Sequence, residues 1–414
     1  MSNLGTLLFP PRPSTAADLP HPLTAADSAR GEIGDMIEAL RAHLDMDVAF
    51  VSRQVGATHR IFTHVAARGV APLRSGDTNA NDNSLCWLVI QGKLPERVVD
   101  TSLYEVASCL PITNAINVRS HFSVPLRRRD GRVHGSLCCF SYRPRPDIDE
   151  RDMQILRSVA AIVSDQIESR IEQEERGEEA AREVARLIAE DDLTIIHQPV
   201  FDLAEWQVIG HECLMRQKAN PERSPLELLD RARLASKSLE LELHAAAKAL
   251  ETLDPACPDR FIAINVSSAT LTSEALIELI PEGLASQLVI ELNGLDPAIP
   301  HQTLKRAIQS LRARAYVAVN SAEGGFSGLQ SLVELAPDIV KIDRELLAGL
   351  ANDPPRRALV KALVQFAEDT GVTLMAQRIE TREDLQALRD LGVRFAQGYV
   401  LGRPARPGRG ARPC

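Results

Sequence analysis

Eight short apolar runs, spread through the last half of the chain and separated by segments of helical period, constrain the fold more than any other feature. They stand at Thr194–Pro199, Val208–Leu214, Phe261–Val266, Leu288–Leu292, Tyr316–Val319, Ile339–Ile342, Thr373–Ala376 and Phe395–Val400. Runs this short and this apolar read as strands. Between them, Leu226–Leu253, Ser273–Leu284, Thr303–Arg312, Arg356–Phe366 and Glu383–Leu391 repeat their apolar residues at helical spacing. Such alternation predicts an α/β fold, a TIM-like (β/α)8 barrel over residues 191–406.

In a barrel of this kind the C-terminal ends of the strands converge on one mouth, where the chemistry is done. Reading off those ends gives Glu212, Asn265, Glu291, Asn320, Lys341 with Asp343, Gln377 with Glu380, and Gln397. Any one of them is as readily a helix cap, but polar residues at seven strand ends together argue for a site. The triplet His211-Glu212-Cys213 is not a metal box, because strand alternation points His211 and Cys213 away from Glu212.

The first half reads differently. After a proline-rich tail over residues 1–27, predicted to be disordered, Ile33, Met36, Ile37, Leu40 and Leu44 mark one helix face. Strand-like runs follow at Asp47–Ser52, Ile61–Ala66, His121–Leu126 and Gly135–Ser141, the last two joined as a hairpin at Asp130-Gly131. With a closing helix from about Asp149, this predicts an α+β domain over residues 28–170 built on an antiparallel sheet.

Ile155, Val159, Val163, Ile167 and Ile171 then recur every four residues into the charged stretch Glu172–Glu183, which predicts a linker helix over 155–190 that continues the closing helix. Gly177 weakens it, and the pattern resumes loosely at Val184, Leu187 and Ile188. A solvated spacer fits these charges, and so does a parallel two-helix signalling linker; the second predicts a homodimer. Residues 407–414 read as a second tail.

The formal net charge of −9 argues against a nucleic-acid or anionic-membrane partner, so any anion must be bound locally. The first 26 residues lack a signal peptide's basic start and apolar core, and no stretch approaches about 18 uninterrupted apolar residues. Seven cysteines without zinc-type spacing point to a reducing cytoplasm. Cys86 and the Cys138-Cys139 pair read as small buried hydrophobes, with thiol sensing or chromophore anchoring as the alternative.

Two resemblances sharpen this. Asp47-Val-Ala-Phe-Val-Ser52, Ser84-Leu-Cys86, Val99-Asp100, Val124-Pro-Leu126, Asp130-Gly131 and Gly135-Ser-Leu-Cys138 give the first domain a diffuse but ordered resemblance to the GAF sensor family. That resemblance implies a small-molecule or redox sensor that also dimerises, without naming its ligand.

The second half, from about Asp192 to Pro404, resembles the EAL-domain phosphodiesterases that hydrolyse cyclic di-GMP. The carrying residues are His197-Gln-Pro-Val200, Glu212-Cys-Leu-Met-Arg216, Ala263-Ile-Asn-Val-Ser267, Val289-Ile-Glu-Leu292, Asp338-Ile-Val-Lys-Ile-Asp343 and Gln397-Gly-Tyr399. The resemblance implies a two-metal site for Mg²⁺ or Mn²⁺, a bridging water as nucleophile, and a lysine that positions it. Glu212, Asn265 and Glu291 match the metal ligands, and Lys341 matches the lysine.

The chain departs from that pattern at its centre. The family's Asp-Asp pair, whose first member bridges both metals, stands here as Asn320-Ser321, and its Ala-Glu-Gly-Val-Glu reads Ala376-Gln-Arg-Ile-Glu380. An amide or hydroxyl coordinates weakly and cannot bridge two divalent ions. Glu323, in place of a family glycine, is a remote substitute. With Arg378 and Glu323 counted, the local charge shifts by about +3 relative to the family, which favours an anion without metal.

Gln198, Arg216, Asn265, Asp343, Glu380 and Gln397 remain for phosphate and guanine, with Leu214 and Tyr399 as walls. No metal is required for such binding; one weak Mg²⁺ or Mn²⁺ on Glu212, Asn265 and Glu291 stays conceivable. The expectation is therefore a catalytically inactive cyclic di-GMP receptor under GAF control, acting on an unidentified downstream protein. Residual hydrolysis to linear pGpG and a nucleotide-independent protein scaffold are the alternatives.

Overall fold

The computed structural model describes residues 31–56, 58–253, 260–284, 286–320 and 333–406. The chain divides into two compact units after Gln173. Among the described residues no helix is long and apolar enough to cross a membrane.

The first unit is a six-stranded sheet. Its strands are β1 (Val48–Val55), β2 (His59–Ala67), β3 (Thr78–Ala80), β4 (Arg97–Val98), β5 (Ser120–Arg127) and β6 (Val133–Ser141), ordered β3-β2-β1-β6-β5-β4. All its pairings are antiparallel. The β5–β6 hairpin turns where the sequence predicts, with Gly131 at φ +83, a conformation that favours glycine.

Strand alternation divides the unit into two cores. Ala49, Val51, Phe122, Val124, Leu126, Leu137 and Cys139 face α1 (Glu32–His43) and the first part of the helix Glu150–Ala189, through Ile33, Ile37, Leu40, Met153, Leu156 and Val163. Val48, Phe50, Phe62, Cys138 and Phe140 face the other way, against α2 (Leu85–Ile90) and α3 (Glu105–Ser108). Gly135 is obligatory: a Cβ there would stand 1.9 Å from the Ser52 carbonyl oxygen.

The helix Glu150–Ala189 runs unbroken for 40 residues, so Gly177 does not interrupt it. In the second unit its end is anchored by Val184 and Leu187, packed on Leu193, Leu228, Ala232 and Leu241. Glu183 receives Arg223 and Arg231 there, the latter at 2.7 Å.

The second unit is a closed eight-stranded barrel: β7 (Leu193–Asp202), β8 (Gln207–Gln217), β9 (Phe261–Val266), β10 (Leu288–Leu292), β11 (Tyr316–Asn320), β12 (Ile339–Ile342), β13 (Thr373–Ala376) and β14 (Phe395–Ala396). One correction to the regular (β/α)8 pattern is needed. β7 runs antiparallel to both β8 and β14, while the other neighbours are parallel. Only four residues separate β7 from β8, enough for a hairpin but far short of the crossover that a parallel pair needs.

The segment of helical period over Leu226–Leu253 forms two helices, Pro225–Leu234 and Ser238–Leu250, separated at Ser236 with φ +54.

Period-two alternation sorts the barrel strands. Ile262, Ile264, Val266, Ile290, Leu292, Val317, Val319, Val340, Ile342 and Leu374 face the helices in one large core. Ala263, Val289, Ala318, Ile339 and Met375 face inward and fill the barrel with Val200. Two residues further along each strand, the same inward parity gives Asn265, Glu291, Asn320, Lys341 and Gln377. The apolar plug and the polar layer are consecutive levels of one barrel interior.

Candidate functional site

The polar layer is knitted by a directional series of side-chain amides. Gln377 Nε2 donates to Asn320 Oδ1 at 2.9 Å, Asn320 Nδ2 to Asn293 Oδ1 at 3.3 Å, and Asn293 Nδ2 to Asn265 Oδ1 at 2.7 Å. Asn265 Nδ2 then donates to Glu212 Oε1 at 2.9 Å. Gln397 Nε2 donates to the other oxygen of Glu212, and Gln377 Nε2 also reaches Asp343 Oδ1 at 3.4 Å. Asn293 was not among the residues singled out from the sequence. It lies two positions past Glu291, on the same parity, and that signal was available.

Among the amides lies a charged triad. Lys341, 1% exposed, hydrogen-bonds Glu291 through Nζ and stands 3.9 Å from Glu212. Burial pushes the Glu291 carboxyl up to about 7, helped by the neighbouring Glu212 charge and opposed by Lys341. Burial would also raise Glu212, but the Lys341 charge and the Asn265 and Gln397 donors outweigh it and hold the carboxyl below its ordinary value. Burial would lower Lys341; the two glutamates reverse that and raise it. One ammonium thus serves two carboxylates, and Glu291 bears the surplus.

Around this centre stand the other candidate residues. Gln198 is opposite Glu212 in the β7–β8 register and donates through Nε2 to the Gly402 carbonyl at 3.1 Å. Leu214 and Arg216 follow Glu212 on its parity in β8 and are both half-buried. Arg216 Nη1 donates to the Met215 carbonyl at 2.8 Å, burial lowers its guanidinium from the usual arginine range, and among the described residues no carboxylate pairs with it.

Tyr399 is 53% exposed, with Arg403 4.9 Å over its ring. Glu380 is exposed and pairs with Arg344 at 3.1 Å, and is not tied to the amide series. Ser321 and Glu323 lie outside the described residues. His211 and Cys213 point away from Glu212: His211 stacks on His197 at 5.4 Å and Cys213 is packed in the core behind the strands.

Arg378 adopts φ +57, a region that favours glycine, and its guanidinium stands 3.7 Å from Asp343. Gly398 is required beside it, since a Cβ would come within 2.2 Å of the Ile379 carbonyl oxygen.

A pair of divalent ions does not fit this donor set among the described residues. Glu212, Glu291 and the half-buried Asp343 are the carboxylates that this layer offers, and Lys341 and the amide donors already engage them. Two dications against three carboxylates and an ammonium would leave an excess of about +2, where a balanced charge is needed. Among the described residues, no three acidic, histidine or cysteine side chains gather here within the span of one ion.

Comparison with known proteins supplies the family. An EAL-domain model matches residues 181–404, more than half of the chain, and a GAF-domain model matches residues 34–167. A cyclic di-GMP phosphodiesterase of Pseudomonas aeruginosa is 28% identical over 233 residues, covering 53% of this chain and 39% of that protein. A blue light- and temperature-regulated antirepressor of Escherichia coli is 27% identical over 220 residues, 50% of this chain and 52% of its own length.

The chain spans only 28% to 39% of the length of three curated relatives that it matches. Among solved structures, an EAL enzyme with cAMP and cyclic di-GMP bound has a TM-score of 0.52 at 16% identity, covering 89% of this chain and 93% of that one. That likeness is one of fold.

Proposed function

Because this chain belongs to the EAL-domain family, we propose that its barrel is a cyclic di-GMP receptor that does not hydrolyse its ligand, with the GAF domain governing its signalling state. The observation that carries this is Arg216: a half-buried guanidinium beside the strand end of Glu212 without a carboxylate partner among the described residues. A phosphate needs such a donor, whereas a guanidinium spent on an internal ion pair would have to be released first. Below it, Lys341 and the amide donors partly offset the charge of Glu212 and Glu291, so a dianionic nucleotide meets little repulsion.

Gln198, Asn265 and Gln397 supply amides suited to phosphate and guanine edges. Leu214 and Tyr399 supply an apolar and an aromatic wall. Hydrolysis in this family rests on two metals, and the positions that would bridge and balance them are Asn320, Ser321 and Gln377. Turnover should fall by about 10³-fold or more without them. A single weak Mg²⁺ or Mn²⁺ on Glu212, Asn265 and Glu291 is compatible with binding and unnecessary for it.

We assign the GAF domain to residues 28–170, the linker helix to 155–190 and the EAL domain to 191–406, in a cytoplasmic homodimer that passes its state to a protein partner.

Titration calorimetry of the full chain with cyclic di-GMP, with and without Mn²⁺, read beside chromatography for linear pGpG, tests the proposal. Metal-independent heat without product is expected, and Arg216→Ala should weaken binding by about 100-fold. Product above background in Mn²⁺ overturns inactivity, and absence of heat in both conditions overturns the receptor in favour of a protein scaffold.

A further inference from the structure

The face of the first unit's sheet that meets α2 sets polar side chains among apolar ones. Ser52 from β1, Ser136 and Cys138 from β6, and His121 and Ser123 from β5 all face the side from which α2 brings Cys86. All six are buried. Polar groups concentrated in a sealed core need partners, and two here lack them. Among the described residues, His121, 2% exposed, has no hydrogen-bond partner on Nε2, and Arg60, also 2% exposed, has none on Nε or Nη1.

Cys86 and Cys138 bring their sulfurs to 2.9 Å, and with a His121 ring nitrogen the three ligand atoms lie within 4.8 Å of one another. No other group of three such side chains gathers this closely among the described residues.

We propose that Cys86, His121 and Cys138 form a binding site for a zinc-class divalent ion, with two sulfurs and one imidazole nitrogen as protein ligands and a fourth position left for an exogenous donor. Two thiolates and an imidazole are the donor chemistry that a borderline-soft ion selects over Mg²⁺ or Ca²⁺. A tetrahedral ion with metal–sulfur bonds of about 2.3 Å holds its sulfurs about 3.7 Å apart, so each must withdraw by only a few tenths of an ångström.

The second layer is already present. Ser123 Oγ stands 3.2 Å from Cys138 Sγ, placed to donate to a thiolate, while Ser136 Oγ accepts from Cys138 Sγ at 3.3 Å and bonds Ser52 at 3.0 Å. Arg60, whose charge acts on Cys86, adds two donors without a partner among the described residues, so an anion suits the fourth position. Cys139, one residue along β6, faces the opposite core and takes no part.

Cobalt(II) titration of the reduced, metal-free full chain tests the site, because only thiolate ligation gives strong near-ultraviolet sulfur-to-cobalt charge-transfer absorption. An ion held by the oxygen donors of the barrel gives none. One equivalent with that band, displaced by Zn²⁺, is expected. Cys86→Ser and Cys138→Ser should abolish the band, Cys139→Ser should keep it, and Ser123→Ala should keep it with about tenfold weaker affinity.

Absence of the band in the folded wild-type protein overturns the proposal, whatever the variants do. So does a band that survives in Cys86→Ser. A Cys86–Cys138 disulfide in the isolated protein, with no cobalt uptake after reduction, would identify the pair as a redox couple instead.

Discussion

Replacing Lys341 by methionine isolates the electrostatics of the barrel centre. The substitution keeps most of the side-chain volume and removes the one cation that contacts Glu291 and stands 3.9 Å from Glu212. Removing one partner of a buried pair costs about 3–5 kcal/mol when the other stays charged. Here the other need not stay charged. Glu291 already sits at about 7 against an ordinary 4.5, so its native form holds a proton that the unfolded chain has lost.

For a carboxyl raised in this way, the contribution is fully present below the ordinary value and is lost as pH rises to about 7, at about 1.4 kcal/mol per pH unit. Above 7 the wild-type contribution is level. Without Lys341 the midpoint moves higher, so the variant keeps losing stability where the wild type has stopped. The expected deficit is about 3–5 kcal/mol at pH 9, shrinking to about 1–2 kcal/mol at pH 6, where both proteins carry neutral Glu291.

Urea unfolding followed by fluorescence measures this. Trp206 lies in the barrel and Trp87 in the other unit, so a Trp87→Phe background reports on the barrel alone. An equal deficit at both pH values would refute the reasoning.

Two further variants test the rim. Arg378→Gly places glycine at φ +57 and gives up an exposed 3.7 Å ion pair of little worth, so the barrel's melting temperature should rise by about 1–4 °C; calorimetry showing a fall would mean that the Arg378 contacts outweigh the strain. Asn320→Asp with Gln377→Glu returns two carboxylates to the polar layer, and Mn²⁺ should then raise the melting temperature of the double variant while leaving the wild type unmoved. Equal Mn²⁺ shifts in both proteins would show that these positions do not govern metal affinity.

The barrel was legible because its strands are short apolar runs whose limits coincide with changes of period. The antiparallel setting of β7 was not: alternation has no direction, and only the four-residue connection from Asp202 to Gln207 carries the information. Most of the inner layer was legible from strand ends, because Glu212, Asn265, Glu291, Asn320, Lys341 and Gln377 terminate apolar runs. Asn293 escaped because it lies just beyond its strand, although parity alone puts it beside Asn265.

The Cys86, His121 and Cys138 cluster could not be read from spacing. Its members come from one helix and the two strands of a hairpin, at spacings that match no metal motif, and each taken alone is an ordinary buried residue.

The amides at the mouth carry a polarity. From Gln377 through Asn320, Asn293 and Asn265 to Glu212, every NH₂ points the same way round, and the carboxylate terminates the run as a pure acceptor. No single amide can invert without setting like groups face to face, and reversing all four would set Asn265 Oδ1 against Glu212, so the carboxylate fixes the direction of the run. A ligand atom that captures Gln377 Nε2 therefore changes the polarisation of a run whose far end is pinned at Glu212, three amides away. The side-chain NH₂ resonances of Asn265 and Asn293 should shift on binding even if the ligand touches neither.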